Sequence, residues 1–252
     1  EYPVIDLQDI FYSIISKMDQ EAAVNPKIQK LPFSYLFEGQ FQHLLLLILL
    51  VAGAFFLAEP VFNERFWLGF DSRSWFTIGI AAVVLHQILT WFVFRFQLVY
   101  QLLTRLLGKA ALPVWGVVFM PLLVARPLLL IVISLTDQGS LTGPGWLLGS
   151  LGIILLLPSI YAMISVVKYF GIARALGGDH FYEKYRQIPL VKRGIYKYTS
   201  NGMYGVVFLG LWAIALLLQS RAALVFALFQ HAYIWVHMYC TEAPDMKILY
   251  RD

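Results

Sequence analysis

Charge and cysteine are scarce in this chain. Only 13% of its 252 residues are Asp, Glu, Lys or Arg, where a soluble domain carries about a quarter. A single cysteine, Cys240, excludes an intramolecular disulfide and any zinc site built on several thiolates. The net charge of +4 is small and calls for no nucleic-acid partner. No strand-turn-helix with a glycine fingerprint occurs, which removes a Rossmann-type nucleotide domain. No His-Glu-x-x-His spacing offers a metal, so no metal is expected. Neither a Ser/His/Asp nucleophile set, an internal repeat, a low-complexity tract nor a heptad pattern can be found. No short apolar segment with a small-residue cleavage site precedes the first apolar run near 41, so a cleavable leader is not expected.

What the chain has in abundance is apolar surface: 60% of its residues are hydrophobic and the mean hydropathy is +0.70. An integral membrane protein follows. Apolar runs near 41–58, 75–94, 112–135, 146–167, 203–219 and 222–240 are each close to the roughly 20 residues that cross a bilayer core. Backbone groups in lipid must be satisfied within the segment, so these runs are helices. The expected fold is an all-α, polytopic membrane helix bundle of about six transmembrane helices with an amphipathic N-terminal segment. Residues 1–40 form that segment: Leu7, Ile10, Phe11, Ile14, Ile15 and Met18 recur at helical spacing. They fit either an interfacial helix or a soluble cap, and Pro26 and Pro32 then punctuate a connector. Residues 41–167 supply the first four spans, and 168–252 a polar loop, a helical hairpin and a tail.

Loop charges orient the bundle. Arg95, Arg105 and Lys109 follow the second span; Lys168, Arg174, Lys184, Arg186, Lys192, Arg193 and Lys197 follow the fourth; Lys247 and Arg251 lie in the tail. The opposite loops are poor in cations, so the basic segments and both termini are expected to be cytoplasmic. A bacterial inner membrane and the endoplasmic reticulum fit equally. Little more than Ser220-Arg221 joins the last two spans, which makes them a tight antiparallel hairpin. The stretches before and after that hairpin must therefore meet at the cytoplasmic surface.

Both stretches carry polar residues of interest. In the loop, Gly177-Gly178 makes a turn followed at once by Asp179 and His180. This reads either as a plain loop turn or as the edge of a cofactor site. In YKYTSNGMYG, Ser200 and Asn201 are good N-cap residues for a helix starting at Gly202 or Met203. Its free N–H groups can hold a carboxylate or phosphate, and Gly202 permits close approach; ordinary capping explains the same residues. Glu242 ends the last span, where a carboxylate opposes the helix dipole and needs a cationic or hydrogen-bonding partner. A ligand, Lys197 or Arg193 would serve. His231, Trp235, Met238 and Glu242 share one helix face, a stripe that lines a pocket or simply packs. His237 falls off that face and reads as interfacial. Arg126 lies within a span beside Pro127 and must pair or reach water, with His86 and Gln87 as available partners. Arg126, His231 and Trp235 are the candidate substrate-lining residues.

GIYKYTSNGMYG, a tight helical hairpin and then TEAPDMKILY together resemble the membrane methyltransferases of the phospholipid methyltransferase and isoprenylcysteine carboxyl methyltransferase superfamily. The likeness is nearest to the phosphatidylethanolamine N-methyltransferases. Gly194, Tyr196, Tyr198, Asn201 and Tyr204 match the first motif in register, and Glu242, Pro244 and Tyr250 the second. The chain departs at Gly202, where the motif has proline; at Ser200-Asn201, where the isoprenylcysteine enzymes have Arg-His; at Val206 for a glycine; and at Ala243 for a second glutamate. The resemblance implies S-adenosylmethionine at the cytoplasmic end of the hairpin. Gly178, Asp179, His180, Tyr196, Tyr198, Asn201, Gly202, Tyr204 and Glu242 would be the residues around it. It further implies methyl transfer to a lipid amine headgroup such as that of phosphatidylethanolamine, with Glu242 or His180 taking the proton. The partner is a membrane lipid, and the oligomeric state stays open. Sterol reductases carry a related turn, so an NADPH-dependent sterol or lipid reductase is the alternative enzyme, and a non-catalytic membrane scaffold the alternative outside enzymology.

Overall fold

The computed structural model describes residues 31–62 and 65–250, so the apolar positions from Leu7 to Met18 lie outside the described residues. The described chain is helical, with no strand among the described residues beyond one isolated bridge between Trp67 and Phe70. The long helices are α1 (Gln40–Ala58), α2 (Ser72–Tyr100), α3 (Ala111–Thr136) and α4 (Gly145–Ser165), followed by α5 (Leu209–Leu217), α6 (Arg221–His237) and the short α7 (Ala243–Leu249). Five stretches are long and apolar enough to cross a membrane: Phe33–Val61, Ser72–Tyr100, Leu102–Thr136, Gly145–Phe170 and Arg221–Leu249. A sixth, Met203–Leu217, is apolar but shorter.

Local chemistry sets the helix limits. Asp71 accepts a hydrogen bond from Ser74 N at 2.7 Å, and Ser220 Oγ from Ala223 N at 3.0 Å, so α2 and α6 each begin on a side-chain cap. Helix α2 stops at Gln101, which turns left-handed at φ 53°. Two boundaries differ from the expected ones. Helix α2 runs past 94 to Tyr100, which draws Arg95 out of the loop and into the helix, fully buried. The last span also continues past 240: a π-helical turn at Met238–Glu242 leads directly into α7, because Pro244 sits in the first turn, where its missing N–H costs nothing. Glu242 therefore does not close a bare helix C-terminus.

Helix α6 is the central element. It packs against α1, α2, α3 and α5, while α4 lies along α5 and α3 along α2. Half of the last span is buried, against 17% of the first and third spans. Its Phe226, Phe229 and Tyr233 join Phe76 and Val83 of α2 and Leu130 and Ile133 of α3 in the main core. At the end of the bundle where α3 finishes and α6 begins, the hairpin is tied by Gly139 N and Leu141 N donating to Gln219 O, both at 3.0 Å. The opposite end, formed by residues 168–202 and the π turn before α7, holds the site.

Candidate functional site

Three helices change their winding at that end. Val166–Phe170, Met203–Val207 and Met238–Glu242 are each one π-helical turn. A π turn inserts a residue, widens the helix and re-aims side chains, and it is common beside functional sites. Each of the three lends side chains to one cavity of about 210 Å³: Val166 and Phe170 from the first, Met203, Tyr204 and Val207 from the second, Glu242 from the third. Helices α2 and α3 close the other wall with His86, Gln87, Thr90, Phe94, Phe119, Leu123 and Arg126. Arg174, Gly177, Asp179 and His180 from the loop and Met246 from α7 complete it.

Glu242 and Tyr204 meet across the two halves of the hairpin. The Tyr204 hydroxyl donates to Glu242 Oε2, and His237 Nε2 lies 3.5 Å from Oε1. The carboxylate thus finds its partners within the bundle, and neither Lys197 nor Arg193 serves. His237, expected at the interface, is instead fully buried. The π turn brings it to Glu242 and places its ring edge-on to His43, centroids 5.9 Å apart.

His180 is fixed from two sides. Its ring stacks on Phe94 with centroids 4.1 Å apart, and Nε2 lies 3.2 Å from Asp245 Oδ2. Asp245 in turn pairs with Arg95 at 3.0 Å and accepts from the Tyr35 hydroxyl at 3.0 Å. Arg95 also donates to the carbonyls of Tyr35 and Glu38, at 2.7 and 3.0 Å. The arrangement favours the tautomer that donates from Nε2 and leaves Nδ1 as an acceptor, and Nδ1 has no partner among the described residues. Gly177 makes the approach possible. Its φ is +78°, and a Cβ there would lie 2.2 Å from the Phe94 ring.

Asp179 accepts from the Tyr250 hydroxyl and faces Arg174 Nε at 3.7 Å. Burial, with the Asp179 carboxylate second, pushes the Tyr250 phenol up to about 12. The Arg174 guanidinium lies 4.8 Å over the Phe170 ring. Tyr196 stacks behind Phe170 at 5.5 Å; its buried hydroxyl has no partner among the described residues, and burial raises it to about 12.

Of the residues singled out in the sequence, the structure brings Arg126, Asp179, His180, Tyr204 and Glu242 to this cavity. Gly178, Tyr196, Tyr198, Asn201, Gly202, His231 and Trp235 do not line it. Tyr198 is 74% exposed. Asn201 makes no side-chain cap on the helix; its N–H donates to Thr199 Oγ1 at 3.2 Å, and its carbonyl accepts from Gly205 N at 2.9 Å. Gly202 is pressed on Ile195, and Gly178 on Tyr185. His231 accepts from Trp212 Nε1 at 3.0 Å, and Trp235 stacks on Tyr239. The helical stripe breaks up because the π turn rotates Glu242 away from the register of 231 and 235. In the sequence Arg174 and Arg95 read only as loop cations and His237 as interfacial, and Asp245 receives no role. A signal existed for Asp245, which stands three residues after Glu242 and so shares its side of the helix.

Comparison with known proteins adds a family. Residues 148–252 match the family model of the phospholipid methyltransferases. No curated protein and no solved structure matches the chain. The phospholipid methyltransferase match spans α4, the loop, the hairpin and α7, so both motif segments and Arg174, Asp179, His180, Tyr204 and Glu242 lie within it. Its apolar helices read as those of an integral membrane protein, and its C-terminal part is similar to the phospholipid methyltransferases. Helices α1 to α3 lie outside the match, yet α2 and α3 supply a whole wall of the cavity.

Proposed function

We propose that this protein transfers a methyl group from S-adenosylmethionine to the amine of a phospholipid headgroup such as phosphatidylethanolamine, with its site at the cytoplasmic leaflet. The observation that carries this reading is the meeting of Tyr204 and Glu242 on one cavity inside the region that matches the family. The cavity also fits the chemistry of the cofactor. A sulfonium and an ammonium suit a space that offers two carboxylates, Asp179 and Glu242, and the aromatic Phe94 and Phe170. The cofactor's carboxylate suits Arg174, whose Nη1 has no protein partner. When bound, S-adenosylmethionine supplies an electrophilic methyl group.

The chain's own residues then do three things. Glu242 and Asp179 attract cations into a largely apolar space, and the surrounding Phe119, Leu123, Met163 and Ile234 keep water out. The Tyr204 hydroxyl fixes the Glu242 carboxylate through one oxygen and leaves the other for the amine or His237. A headgroup amine attacks only after losing a proton, and Glu242 takes it, with His180 Nδ1 the second acceptor on the same cavity. Much of the rate gain comes from holding the amine in line with the bond to be broken.

The test is mass spectrometry of phospholipids incubated with the protein in nanodiscs and isotope-labelled methyl donor. A labelled methyl on an aminophospholipid is expected. Thermal stabilisation by NADPH with none by S-adenosylmethionine would instead favour a reductase, and stabilisation by neither would favour a scaffold.

A further inference from the structure

At the inner end of the cavity, away from the loop, stands a buried cation without a counter-ion among the described residues. Arg126 is 4% exposed. Its partners are neutral: Nε donates to Gln230 Oε1 at 3.0 Å, and the guanidinium lies 5.1 Å from the Phe208 ring centroid. Among the described residues Nη2 has no hydrogen-bond partner and no carboxylate pairs with Arg126. Beside it on the cavity wall are His86 and Gln87, each 2% exposed. Both ring nitrogens of His86 and the amide nitrogen of Gln87 also lack hydrogen-bond partners among the described residues. In either neutral tautomer His86 offers one N–H. Three buried donors, one of them charged, thus line the same small apolar space.

A guanidinium at this depth is costly to leave uncompensated, and ionisable groups within membrane spans face a partner or a cavity. Replacing all three residues by apolar ones would be the simpler way to build a core. Their charge and donor count point to an anion with several oxygens. The other end of the cavity carries two carboxylates, Glu242 and Asp179, with Arg174 facing the second. A zwitterion whose two charges lie a short distance apart matches both ends. We propose that Arg126, His86 and Gln87 form a phosphate subsite that takes the phosphodiester of the acceptor lipid, with its amine directed to Glu242. The amine half rests on the proposed function; the phosphate half stands without it. Because α2 and α3 lie outside the family match, recognition of the lipid phosphate on this reading belongs to the part of the chain beyond the matched segment.

Binding, rather than turnover, tests the subsite. The full chain in detergent micelles is titrated with lysophosphatidate, lysophosphatidylethanolamine, a monoacylglycerol of the same chain length and inorganic phosphate, and affinity is read by tryptophan fluorescence. The two phosphate-bearing lipids should bind at least about tenfold more tightly than the monoacylglycerol. Arg126→Gln should remove that difference, Arg126→Lys should keep part of it, and S-adenosylmethionine affinity should not change. The Arg126→Gln apoprotein should melt no lower than the parent, since an uncompensated charge has gone. Gln87→Leu deletes one donor and leaves the guanidinium in place; it should weaken the phosphate lipids severalfold, and keeps the test decisive if Arg126→Gln does not fold. Equal binding of monoacylglycerol, or full phosphate-lipid affinity in Arg126→Gln or Gln87→Leu, overturns the proposal. Displacement of the lipids by millimolar inorganic phosphate would overturn the lipid assignment in favour of a soluble anion. Loss of methyl transfer with phosphate-lipid binding intact would count against the proposed reaction alone.

Discussion

Asp137 and Asp179 stand at opposite ends of the bundle, both buried, and they are treated in opposite ways. Asp137 accepts from Ser140 Oγ at 2.5 Å, Ser220 Oγ at 2.9 Å and Ala222 N at 2.8 Å. The hairpin there is further stitched through Gln219 O. Asp179 instead has one oxygen without a hydrogen-bond donor and faces Arg174 at 3.7 Å. Around it Arg174, His180 and Tyr196 also keep buried polar atoms without partners among the described residues, and the three π turns cluster there. Buried polar groups in native proteins are normally paired. One end is thus closed by its own hydrogen bonds, and the other keeps buried polar atoms that the described residues do not pair.

The comparison predicts a division of effects. Glu242→Gln keeps the Tyr204 contact, removes the proton acceptor and should lower kcat about 10²-fold or more, with a melting temperature near the parent's. Near-normal turnover in this variant would remove Glu242 as the base and leave His180. Asp137→Ala should do the reverse. It leaves three donors unsatisfied and should cost about 3 kcal/mol in denaturant unfolding, while S-adenosylmethionine affinity of the folded fraction stays the same. A shift in affinity as large as the loss in stability would erase the distinction between the ends.

How much of this division the sequence shows depends on the kind of information. Apolar length is local, so the expected run at 41–58 meets Gln40–Ala58 and that at 112–135 meets Ala111–Thr136. The tight hairpin is local too, and Glu242, Asp179, His180 and Arg126 emerge from spacing and residue type, while Tyr204 enters through the motif resemblance. Winding is not local. The π turn at Met238–Glu242 decides that Glu242 enters the cavity while His231 and Trp235 do not, and nothing in MYCTE announces an extra residue in the turn. Arg95 shows the other gap. It reads as a loop cation because its distant partner, Asp245, becomes a neighbour only once α2 extends and α7 folds back beside it.

A smaller effect should arise where packing and site share an atom. Gly177→Ala puts a methyl into a left-handed position and against the Phe94 ring. The cost should be about 1–3 kcal/mol. Phe94 also carries the stacked His180 ring, so cofactor affinity should fall alongside stability. A variant that loses stability with unchanged affinity would show that the His180 ring is held by Asp245 alone.

The smallest effect is the most telling for the comparison. Tyr196 belongs to the shared motif, but its ring stacks behind Phe170, and its buried hydroxyl has no protein partner. If that hydroxyl only fills space, Tyr196→Phe relieves an unsatisfied donor and should leave stability unchanged or raise it by up to about 1 kcal/mol. Its pKa of about 12 fixes the sign of a pH test. A phenol whose folded pKa is raised stabilises the fold fully below the unfolded value near 10, and the contribution is lost as pH rises toward 12. Parent and Tyr196→Phe should therefore share one stability profile in shape up to about pH 10, and the parent alone should fall more steeply above it. Chemical denaturation of both proteins at pH 8 and pH 11 measures this. A Tyr196→Phe protein already less stable than the parent at pH 8 would mean that the hydroxyl is partnered, and that the open end of the bundle is more closed than its geometry indicates.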